Sequence, residues 1–418
     1  MGKRILFIAY FYPPLGGPGV QRPVKTIKYL KEYGWEIDVL TVKDIQFHSY
    51  DFSLLSESQA DKIYRTGSFD PMRIYKLLRP SNKKEILYFH TPEKIKKVIR
   101  GVFPIDDKIG WLPFAYKKAL SLFKRKKYDL IFATVVPYTS ALLAYKLHKK
   151  TGCPFYIDFR DHWTLLPYSL YLWKPLRRQA EVWEGKLLQA AKGVFTVGER
   201  KKTAMINRFG GYLRSKTEVV YNGFDETDFT TASIPEAPNS CLKIRYIGGF
   251  FGNRSVQNFI NVLLTMKNNG ELPLGATFEF VGNYFAETNK LLQNEGLAEY
   301  VKIIPQVDHR TAVKYMLSAD LLLLFVSNED GDDFVPGKLF EYIRSQKPIL
   351  AMIPRQGESA QILKEIDHKY ICDPKDETTI RLYLLDFFQN PAGHIFDNVA
   401  IEKYSRKNQT AKINKRLL

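Results

Sequence analysis

Apolar runs of strand length alternate with amphipathic segments of helix length along this chain, and the alternation occurs in two series. Such alternation indicates parallel sheets flanked by helices. In the first series the predicted strands are RILFIAYF (4–11), EIDVLTV (36–42), YDLIFATV (128–135), CPFYIDF (153–159), VFTVG (194–198) and EVVYNGF (218–224), with a helix over VKTIKYLKEYG (24–34). In the second they are LKIRYIGG (242–249), ATFEFVGN (276–283), YVKIIPQ (300–306), DLLLLFV (320–326) and PILAMI (348–353), with a helix over VQNFINVLLTM (256–266). The pattern predicts an α/β protein of two doubly wound, Rossmann-like domains that face a cleft.

The predicted domain boundaries follow from where the two series begin and end. A chain of 418 residues is longer than one hydrophobic core usually serves. We assign 1–215 to an N-terminal domain and 216–394 to a C-terminal domain. Residues 43–110 fit no simple unit, and we interpret them as an insertion over the N-terminal domain. The basic last segment, 395–418, is expected to cross back to that domain as a helix.

The start of the chain, MGKRILFIAYFYPPLGG, places two basic residues before an apolar run as a signal peptide does, but it lacks a small-residue cleavage site. A buried first strand explains it better. No apolar stretch approaches the ~20 residues that cross a bilayer. The three cysteines are isolated, which fits a reducing compartment. We expect a cytoplasmic protein, either soluble or peripheral at the inner face of the cytoplasmic membrane.

The net charge of +18 is concentrated in the first half of the chain. Residues 1–215 hold 39 Lys and Arg against 18 Asp and Glu, a net charge of +21, and the rest of the chain has a net charge of −3. Basic runs such as Lys94-Ile-Lys96-Lys97 and Lys124-Arg125-Lys126-Lys127 are typical of surfaces that meet anionic lipid. Nucleic acid would be attracted too. A basic face that is merely solvated also explains such runs.

The segment FVPGKLFEYIRSQKPIL (334–350) reads as a helix that opens at Pro336-Gly337 and ends before Lys347-Pro348. Lys338 in its first turn faces the positive end of the helix dipole, which is unfavourable unless an anion lies there. Glu341 lies three residues on and shares a face with Lys338. The acidic run NEDGDDF (328–334) just upstream could instead neutralise Lys338, so both interpretations stay open.

Three further motifs follow predicted strands, where parallel sheets bind their ligands. YPPLGGPGVQRP (12–23) carries Gly16 and Gly17, which leave backbone N–H groups approachable for a phosphate or sugar, although a structural turn explains them equally well. GGFFGNRSVQNF (248–259) repeats strand, glycine loop and helix in the second domain, with Arg254 near the helix start. We interpret Arg254 and Lys338 as two cations that await one ligand with two phosphates.

The third motif, DFRDHW (158–163), crowds two carboxylates, an arginine and a histidine at the end of a strand. So much charge in a dry place is costly unless it is paired or functional. A structural pair of Arg160 with Asp158 or Asp161 is one explanation. A functional loop is the other.

Together these motifs resemble the GT-B glycosyltransferases of the retaining family 4 type, over nearly the whole chain. The resemblance is carried by YFYPPLGGPGVQR, DFRDHW, VVYNGFDETDF, IGGFFGNRS, FEFVGN, SADLLLLFVSNED and FVPGKLFEYIRSQKPILA. YNGFDETDF followed at this separation by PGKLFEYIRSQKPIL is the most specific combination. FPIDDKIGW together with DFRDHW further resembles a bacterial subgroup that makes surface polysaccharides such as lipopolysaccharide.

The resemblance implies a nucleotide diphosphate sugar, with a UDP-sugar as the commonest donor, held mainly by the second domain. Glu341 matches the second glutamate of the family's E-x7-E motif and would accept hydrogen bonds from the ribose hydroxyls. Asp333 stands at the first position, where the family usually has Glu. Phe250 stands where the family usually has a basic residue, so neutralisation of the diphosphate would rest on Arg254 and Lys338. The implied donor-binding set is Gly16, Gly17, Gly249, Arg254, Asp333, Lys338, Leu339 and Glu341.

The resemblance also implies a catalytic loop after the strand at 153–159. Family members commonly have a histidine there, and this chain reads Arg160-Asp161-His162, so either Asp161 or His162 would face the sugar. The implied catalytic set is Arg160, Asp161, His162, Arg254 and Lys338. No cofactor or metal is expected, and the acceptor would be a saccharide or a lipid-linked sugar near an anionic membrane.

Three other functions remain open from the sequence. A metal-dependent GT-A transferase would use Asp330-Gly331-Asp332, but D-x-D is a frequent accident and two sheets favour GT-B. A sugar-nucleotide epimerase shares the GT-B architecture and donor site. A non-enzymatic basic binding module is the last alternative, although the chain lacks the sequence signatures of the common nucleic-acid-binding folds, and we expect no nucleic acid as partner.

Overall fold

The computed structural model describes residues 2–45, 47, 50–70, 73, 101, 103, 105–165, 171–230, 241–250, 254–391 and 397–418. The chain divides into two compact units, Met1–Tyr221 with Gln409–Leu418, and Asn222–Asn408. The predicted basic run at 94–97, the segment 231–240 and half of the predicted insertion lie outside the described residues.

The first unit contains a parallel sheet. Its strands are β1 (Arg4–Ile8), β2 (Glu36–Val42), β3 (Lys62–Thr66), β4 (Leu130–Val135), β5 (Phe155–Phe159), β6 (Gly193–Thr196) and β7 (Thr217–Val219). Within the described part of the chain they form one sheet in the order β3-β2-β1-β4-β5-β6-β7. In the register, Ile5 lies beside Ile37 on one side and Leu130 on the other. The central strands are continuous apolar runs because both faces of the sheet are covered.

Helices of the first unit connect these strands. They are α1 (Pro18–Glu32), α2 (Ser53–Glu57), α3 (Leu112–Phe123), α4 (Thr139–Thr151), α5 (Lys174–Ala190), α6 (Glu199–Phe209) and α7 (Leu213–Lys216). The first helix begins at Pro18, six residues before the predicted start at Val24, because proline fits the first helical turn and Val20 already packs in the core.

The interpretation of 43–110 as an insertion is wrong for part of that range. Strand β3 pairs in parallel with β2, so that Val39 lies beside Ile63, and it forms the edge of the sheet. It escaped the sequence pattern because an edge strand is only half covered, and most of KIYRT is partly exposed.

The second unit repeats the arrangement. Its strands are β8 (Lys243–Ile247), β9 (Thr277–Val281), β10 (Val301–Ile304), β11 (Leu321–Phe325), β12 (Ile349–Met352) and β13 (Ile371–Cys372). All neighbouring strands are parallel, in the order β10-β9-β8-β11-β12-β13 over the residues described. Its helices are α8 (Glu226–Thr230), α9 (Gln257–Asn268), α10 (Ala286–Leu292), α11 (His309–Leu317), α12 (Lys338–Ser345), α13 (Glu358–Lys364), α14 (Glu377–Gln389) and α15 (Asn398–Glu402). The two doubly wound sheets confirm the predicted fold class.

Each sheet reverses its strand order once, between β1 and β4 in the first unit and between β8 and β11 in the second. At such a point the loops that leave two neighbouring strands diverge to opposite faces and open a crevice. The glycine loop after β1 and the Gly248-Gly249 turn after β8 both leave strands at these points. The fold therefore selects the carboxyl edges of the two sheets as candidate sites.

The end of the chain belongs to both units. The last helix, α16 (Arg406–Leu417), begins in the second unit, and Gln409–Leu418 belong to the first. There Asn414 accepts a hydrogen bond from the Trp35 indole at 2.7 Å, and the Gln409 side chain accepts one from Tyr221 N at 2.8 Å. The returning segment starts at Gln409 rather than at 395, because Ser405 still pairs with Phe224 in the second unit. The division between the units falls after Tyr221 rather than after 215.

None of the helices in the described residues is long and apolar enough to span a membrane.

Candidate functional site

Lys338 is the first residue of α12, at the carboxyl edge of the second sheet. The helix begins after Gly337 and ends at Ser345, because Gln346 takes a left-handed φ of 56° and Pro348 follows. Tyr342 binds the helix to β8, since its hydroxyl accepts a hydrogen bond from Ile247 N at 2.9 Å. The bounds are those that the sequence predicts, and they bring Lys338 beside the loop that follows β8.

The ammonium group of Lys338 is buried and has no hydrogen-bond partner. Its Nζ lies 4.0 Å from the centroid of the Tyr246 ring, where the π-face attracts a cation. Burial and, second to it, the positive charge of Arg254 lower the pKa of Lys338 to about 7, although the Glu341 carboxylate opposes this. The acidic run at 328–334 therefore does not neutralise Lys338 by a hydrogen bond.

Arg254 differs from its predicted state. It precedes α9, which begins at Gln257, and its Nε donates to Asp330 Oδ2 at 2.8 Å. Its guanidinium carbon also lies 4.4 Å from the centroid of the Phe334 ring. Arg254 thus has a counter-charge that the sequence analysis did not foresee, because a short 3-10 turn at Asn328–Asp330 brings a carboxylate to it.

Glycine residues allow the backbone to approach Lys338. Gly248 follows β8 with a φ of 124°, and a Cβ there would lie 2.5 Å from Lys338 Nζ. A Cβ on Gly282, after β9, would lie 2.6 Å from the Gly248 carbonyl oxygen. The carbonyl of Gly249 accepts a hydrogen bond from the Tyr246 hydroxyl at 2.8 Å. The turn after β8 is therefore packed against the ammonium with no room for a side chain at Gly248.

Phe250 belongs to the core of the second unit and not to the surface. It is 4% exposed, and its ring centroid lies 4.5 Å from that of Tyr246 and 5.1 Å from that of Phe325. Phe250 thus stands where the resemblance leads one to expect a basic residue. Its ring packs against Tyr246, whose own ring contacts the Lys338 ammonium.

Glu341 has a partner that the sequence analysis missed. Its Oε1 lies 2.8 Å from His309 Nε2, and His309 Nδ1 lies 3.9 Å from Asp228 Oδ2. The three side chains come from α12, α11 and α8 and keep between 14% and 16% of their surface exposed. Asp228 lies inside the quoted YNGFDETDF motif, but the pattern gave no reason to associate it with His309, which is 81 residues away in the sequence.

Asp333 and Leu339, the other two residues of this segment that are predicted to bind the donor, differ in the groups that a ligand could contact. Asp333 lies two residues after Gly331, whose φ is 91°, and a Cβ on that glycine would lie 3.0 Å from Asp333 Oδ1. The side chain of Leu339 is fully buried and packs in the core, so it offers a ligand only its backbone. The segment is held in place where Ser359 donates to the Phe334 carbonyl at 2.8 Å.

In the first unit the glycine loop after β1 meets the DFRDHW loop after β5. Gly16 is buried, and Gly17 precedes α1 with a φ of 94°. A Cβ on Gly19 would lie 3.1 Å from Arg160 Nη1. The two motifs that the sequence placed at strand ends are therefore neighbours at one edge of the sheet.

The guanidinium of Arg160 donates hydrogen bonds to three backbone carbonyls. It donates to Val135 O at 2.9 Å, to Val136 O at 3.0 Å and to Gly19 O. Burial lowers the pKa of its guanidinium, with Asp158 and Asp161 opposing. Arg160 thus joins three segments of the carboxyl edge and makes neither of the predicted hydrogen-bonded pairs.

Asp158 is paired with a different arginine. Arg22 on α1 binds it with two hydrogen bonds, Nε to Oδ2 at 2.9 Å and Nη2 to Oδ1 at 2.6 Å. Both side chains are at most 4% exposed. Arg22 also donates to the carbonyls of Val220 and Tyr221 at 3.0 and 3.1 Å. Sequence reasoning missed this buried pair because its members are 136 residues apart.

The loop places Asp161 and His162 differently. Asp161 is exposed, whereas His162 is 5% exposed. The Tyr138 hydroxyl donates to the His162 carbonyl, and the Tyr138 ring stacks on Trp163 with centroids 4.7 Å apart. A buried network thus supports the loop from below and leaves the Asp161 side chain at the surface.

Two further carboxyl groups that the sequence analysis missed lie near this support, Glu184 buried and Asp106 partly buried. Glu184 Oε2 accepts from Thr164 N at 3.0 Å and from Thr164 Oγ1 at 2.6 Å, while its buried Oε1 has no hydrogen-bond partner. Burial raises the pKa of Glu184 to about 7. Asp106 of the FPIDDKIGW motif accepts from Thr139 N at 2.7 Å at the start of α4, and burial raises its pKa to about 6.

No group of three or more His, Cys, Asp and Glu side chains within the described residues is arranged to hold a metal ion.

Solved structures share this fold over almost the whole chain. The match to HepE from Anabaena, in complex with UDP and glucose, has a TM-score of 0.63 at 15% identity and covers 99% of both chains. Sucrose-phosphate synthase from Thermosynechococcus elongatus matches with a TM-score of 0.59 at 14% identity over 99% of this chain and 95% of that one. UDP-GlcNAc 2-epimerase from Neisseria meningitidis, bound to UDP-GlcNAc, matches with a TM-score of 0.56 at 13% identity over 99% of both chains. These likenesses show the fold, which transferases and an epimerase share.

Two doubly wound sheets, with glycine turns after their first strands and a buried lysine at the edge of one, define a GT-B protein. The model of Glycosyltransferase Family 4 matches residues 24–228. The chain thus carries a Glycosyltransferase Family 4 domain over just under half of its length. No curated protein matches the chain significantly.

Proposed function

We propose that the protein transfers a sugar from a UDP-sugar, with retention, to a saccharide or lipid-linked acceptor during the synthesis of cell-surface polysaccharide. The observation that carries this proposal is the buried Lys338 ammonium, which has no hydrogen-bond partner and lies in the first turn of α12. Uridine diphosphate is favoured because the complexes of HepE and of UDP-GlcNAc 2-epimerase contain uridine nucleotides.

The chemistry of the transfer explains why a cation stands there. As the glycosidic bond to the diphosphate breaks, positive charge develops at the anomeric carbon and the diphosphate departs with negative charge. A cation already fixed in a dry place stabilises that departing charge without reorganisation. Lys338 and Arg254 supply the cations, and the N–H groups at the start of α12 add the positive end of the helix dipole. The Gly248 turn with Gly249, and the Gly16-Gly17 loop, would approach the donor through their backbones.

Two carboxylates of the second unit are assigned to hydroxyl groups of the donor. Glu341 would accept hydrogen bonds from the ribose, and Asp333 from the sugar. A carboxylate is an acceptor with about four lone-pair sites, so one group can bind two adjacent hydroxyls. The backbone of Leu339 lies between them in sequence and would contribute only its amide.

In the first unit we assign the contact with the transferred sugar to Asp161 rather than to His162. The support is exposure, because the Asp161 side chain is exposed and that of His162 is 5% exposed. Arg160 holds the loop through three backbone carbonyls, so its catalytic contribution would be to position Asp161.

An acceptor at an anionic membrane is supported by the basic surface of the first unit. Lys124, Arg125 and Lys127 are exposed and border a depression of about 580 Å³ at the amino ends of β4 and β5. They lie at the opposite edge of the sheet from the Arg160 loop. This cluster would therefore hold the protein on lipid at the cytoplasmic side without blocking the catalytic loop.

The first experiment is a thermal-shift panel with UDP-, GDP-, ADP- and dTDP-sugars on the wild type, Lys338→Ala and Glu341→Ala. Ligand at ~100 times its Kd stabilises a protein by about 2.7 kcal/mol, so binding is readily seen. We expect a shift with UDP-sugars that both variants lose. A protein that shifts with none of the sugars would refute the donor site and favour the basic binding module.

The epimerase alternative is tested by incubating the UDP-sugar without acceptor. An epimerase releases a changed UDP-sugar, whereas the proposed transferase returns it intact or hydrolysed. Transfer to acceptor should also survive a chelator such as EDTA, since we propose a metal-independent reaction. Loss of activity in EDTA that added Mg²⁺ or Mn²⁺ restores would contradict this part of the proposal.

A further inference from the structure

The Glu341 carboxylate lies near two cationic or potentially cationic groups, and it is bonded to only one of them. His309 Nε2 lies 2.8 Å from Glu341 Oε1. The charge of Glu341 also acts on Lys338, whose pKa it raises, yet Lys338 Nζ has no hydrogen-bond partner. The carboxylate is thus bonded to the histidine, while the ammonium makes no hydrogen bond to it.

His309 is itself held firmly. It is the first residue of α11, whose N-cap residue Asp308 accepts hydrogen bonds from Thr311 N at 2.9 Å and from Thr311 Oγ1 at 2.8 Å. Its other ring nitrogen, Nδ1, lies 3.9 Å from Asp228 Oδ2. The histidine ring therefore stands between two carboxylates from different helices.

The helix that carries Asp228 is tied to the helix that carries Glu341. Arg344 on α12 binds Glu226 on α8, with Nε to Oε2 at 2.6 Å. Asp225, just before α8, accepts from Thr227 N at 3.1 Å and so caps the first turn of that helix. The helices that carry Asp228 and Glu341, on either side of the histidine, are thus joined to each other.

We propose that His309 is a positioning residue for the nucleotide donor: it fixes the plane of the Glu341 carboxylate for the ribose hydroxyls and keeps that carboxylate from pairing with Lys338. This inference rests on the proposed donor site. Without the histidine, Glu341 would rotate to the nearby ammonium. One ion pair would then remove both the ribose acceptor and the cation for the diphosphate.

Three substitutions separate this role from a general loss of structure. Gln places an amide N–H near the position of Nε2, Asn places one near that of Nδ1, and Ala provides neither. His309→Gln therefore keeps the contact with Glu341, whereas His309→Asn and His309→Ala lose it. All three variants change the same position in the first turn of α11.

The measurement is the Kd of UDP against that of 2′-deoxy-UDP for the wild type and the three variants. We expect the wild type to prefer UDP by about tenfold to a hundredfold, as for one hydrogen bond to a charged group. His309→Gln should keep most of this preference. His309→Ala and His309→Asn should bind both nucleotides weakly and nearly equally. A merely structural role would weaken both nucleotides without changing their ratio.

Two outcomes would overturn the inference. One is an unchanged ratio in His309→Ala, and the other is a His309→Gln protein as indifferent to the 2′-hydroxyl as His309→Ala. A wild type that binds neither nucleotide, nor any other nucleoside diphosphate of the panel, would instead refute the proposed donor site. The two failures are therefore distinguishable.

Discussion

At the scale of single residues, protonation of Lys338 and folding oppose each other. An ammonium that loses its water on folding and gains no hydrogen bond is destabilising, and the lowered pKa of about 7 expresses that opposition. Tyr246 offers a π-face in partial compensation. A ligand that carries an anionic diphosphate would supply the counter-charge that Lys338 lacks in the ligand-free protein.

Replacement of Lys338 by Met should stabilise the ligand-free protein and abolish its stabilisation by a UDP-sugar. Between pH 7 and 10.5 the unfolded chain binds a proton on Lys338 that the folded protein does not, so wild-type stability rises with pH across this window. Met removes both the penalty and the slope. At pH 7 we expect a gain of the order of 1–3 kcal/mol, measured by chemical denaturation across pH 6–10.

The matched control for this substitution is Lys302→Met, because Lys302 is exposed in the same unit. It should leave stability and donor binding almost unchanged. A Lys338→Met protein that is less stable than the wild type at pH 7 would contradict the account of a buried charge without a partner.

At the scale of elements, the turn after β8 and the start of α12 fit together only because Gly248 has no side chain. Its φ of 124° is a conformation that side chains rarely adopt, and a Cβ would meet Lys338 Nζ. Strand β8, the Gly248 turn and helix α12 together hold the Lys338 ammonium close to the backbone.

Gly248→Ala should destabilise the protein more than Gly270→Ala and should weaken donor binding. Gly270 also has a positive φ, of 69°, but nothing lies within 4 Å of a Cβ there. The control therefore reports backbone strain alone, about 1 kcal/mol. Denaturation curves and the Kd for UDP measure both effects. Equal losses of stability with unchanged UDP binding would show that the close approach to Lys338 does not matter.

Helix α5 carries a second buried charge, on Glu184, whose effect on stability has the opposite sign. Its pKa rises from 4.5 to about 7 in the folded protein, so between these values the folded state binds more protons and stability falls as pH rises. Glu184→Gln should flatten this slope. It should also stabilise the protein at pH 8 by roughly 1–3 kcal/mol, because Gln can still accept from Thr164.

The pH dependence of Glu184→Gln is best compared with that of Glu32→Gln, an exposed carboxylate at the end of α1. Glu32→Gln should keep the wild-type slope. If Glu184→Gln kept it too, the slope would have to arise from Asp106, whose pKa is raised to about 6, and the account of Glu184 would be wrong.

At the scale of the whole molecule, the sequence predicted what depends on long apolar runs. Local sequence patterns predicted both parallel sheets. They also predicted the bounds of α12 and the position of Lys338 in its first turn. Strand β3 was missed as a half-covered edge, and β13 because it has two residues. Contacts between distant residues, such as Arg22 with Asp158 and His309 with Glu341, were invisible because no local pattern encodes them. The pairing of Arg254 with Asp330 was missed for the same reason.

The charge asymmetry of the molecule predicts binding to anionic vesicles at low salt. Joint substitution of Lys124, Arg125 and Lys127 by Ala should weaken that binding by about a hundredfold, since each basic residue near a charged membrane contributes about 1 kcal/mol. Lys126 is left in place because it pairs with Asp38 at 2.7 Å. Vesicle flotation with anionic and neutral lipid at two salt concentrations measures the effect.

The control for the vesicle experiment removes three exposed lysines of the second unit, Lys290, Lys302 and Lys369. This variant should bind vesicles like the wild type. Equal weakening in both variants would mean that net charge alone attracts the protein, and no preference for anionic lipid in the wild type would remove the membrane from the proposal.

The division of the first unit between the two ends of the chain has a consequence for synthesis. Translation produces residues 1–221 first, but the partners of Trp35 and Tyr221 are Asn414 and Gln409, which follow the second unit in the sequence. The first unit therefore lacks the residues Gln409–Leu418 while the whole of the second unit is translated. A nascent chain stalled before Gln409 would expose the surface that α16 covers, so a chaperone that shields this surface should associate with the chain until Gln409–Leu418 have been translated.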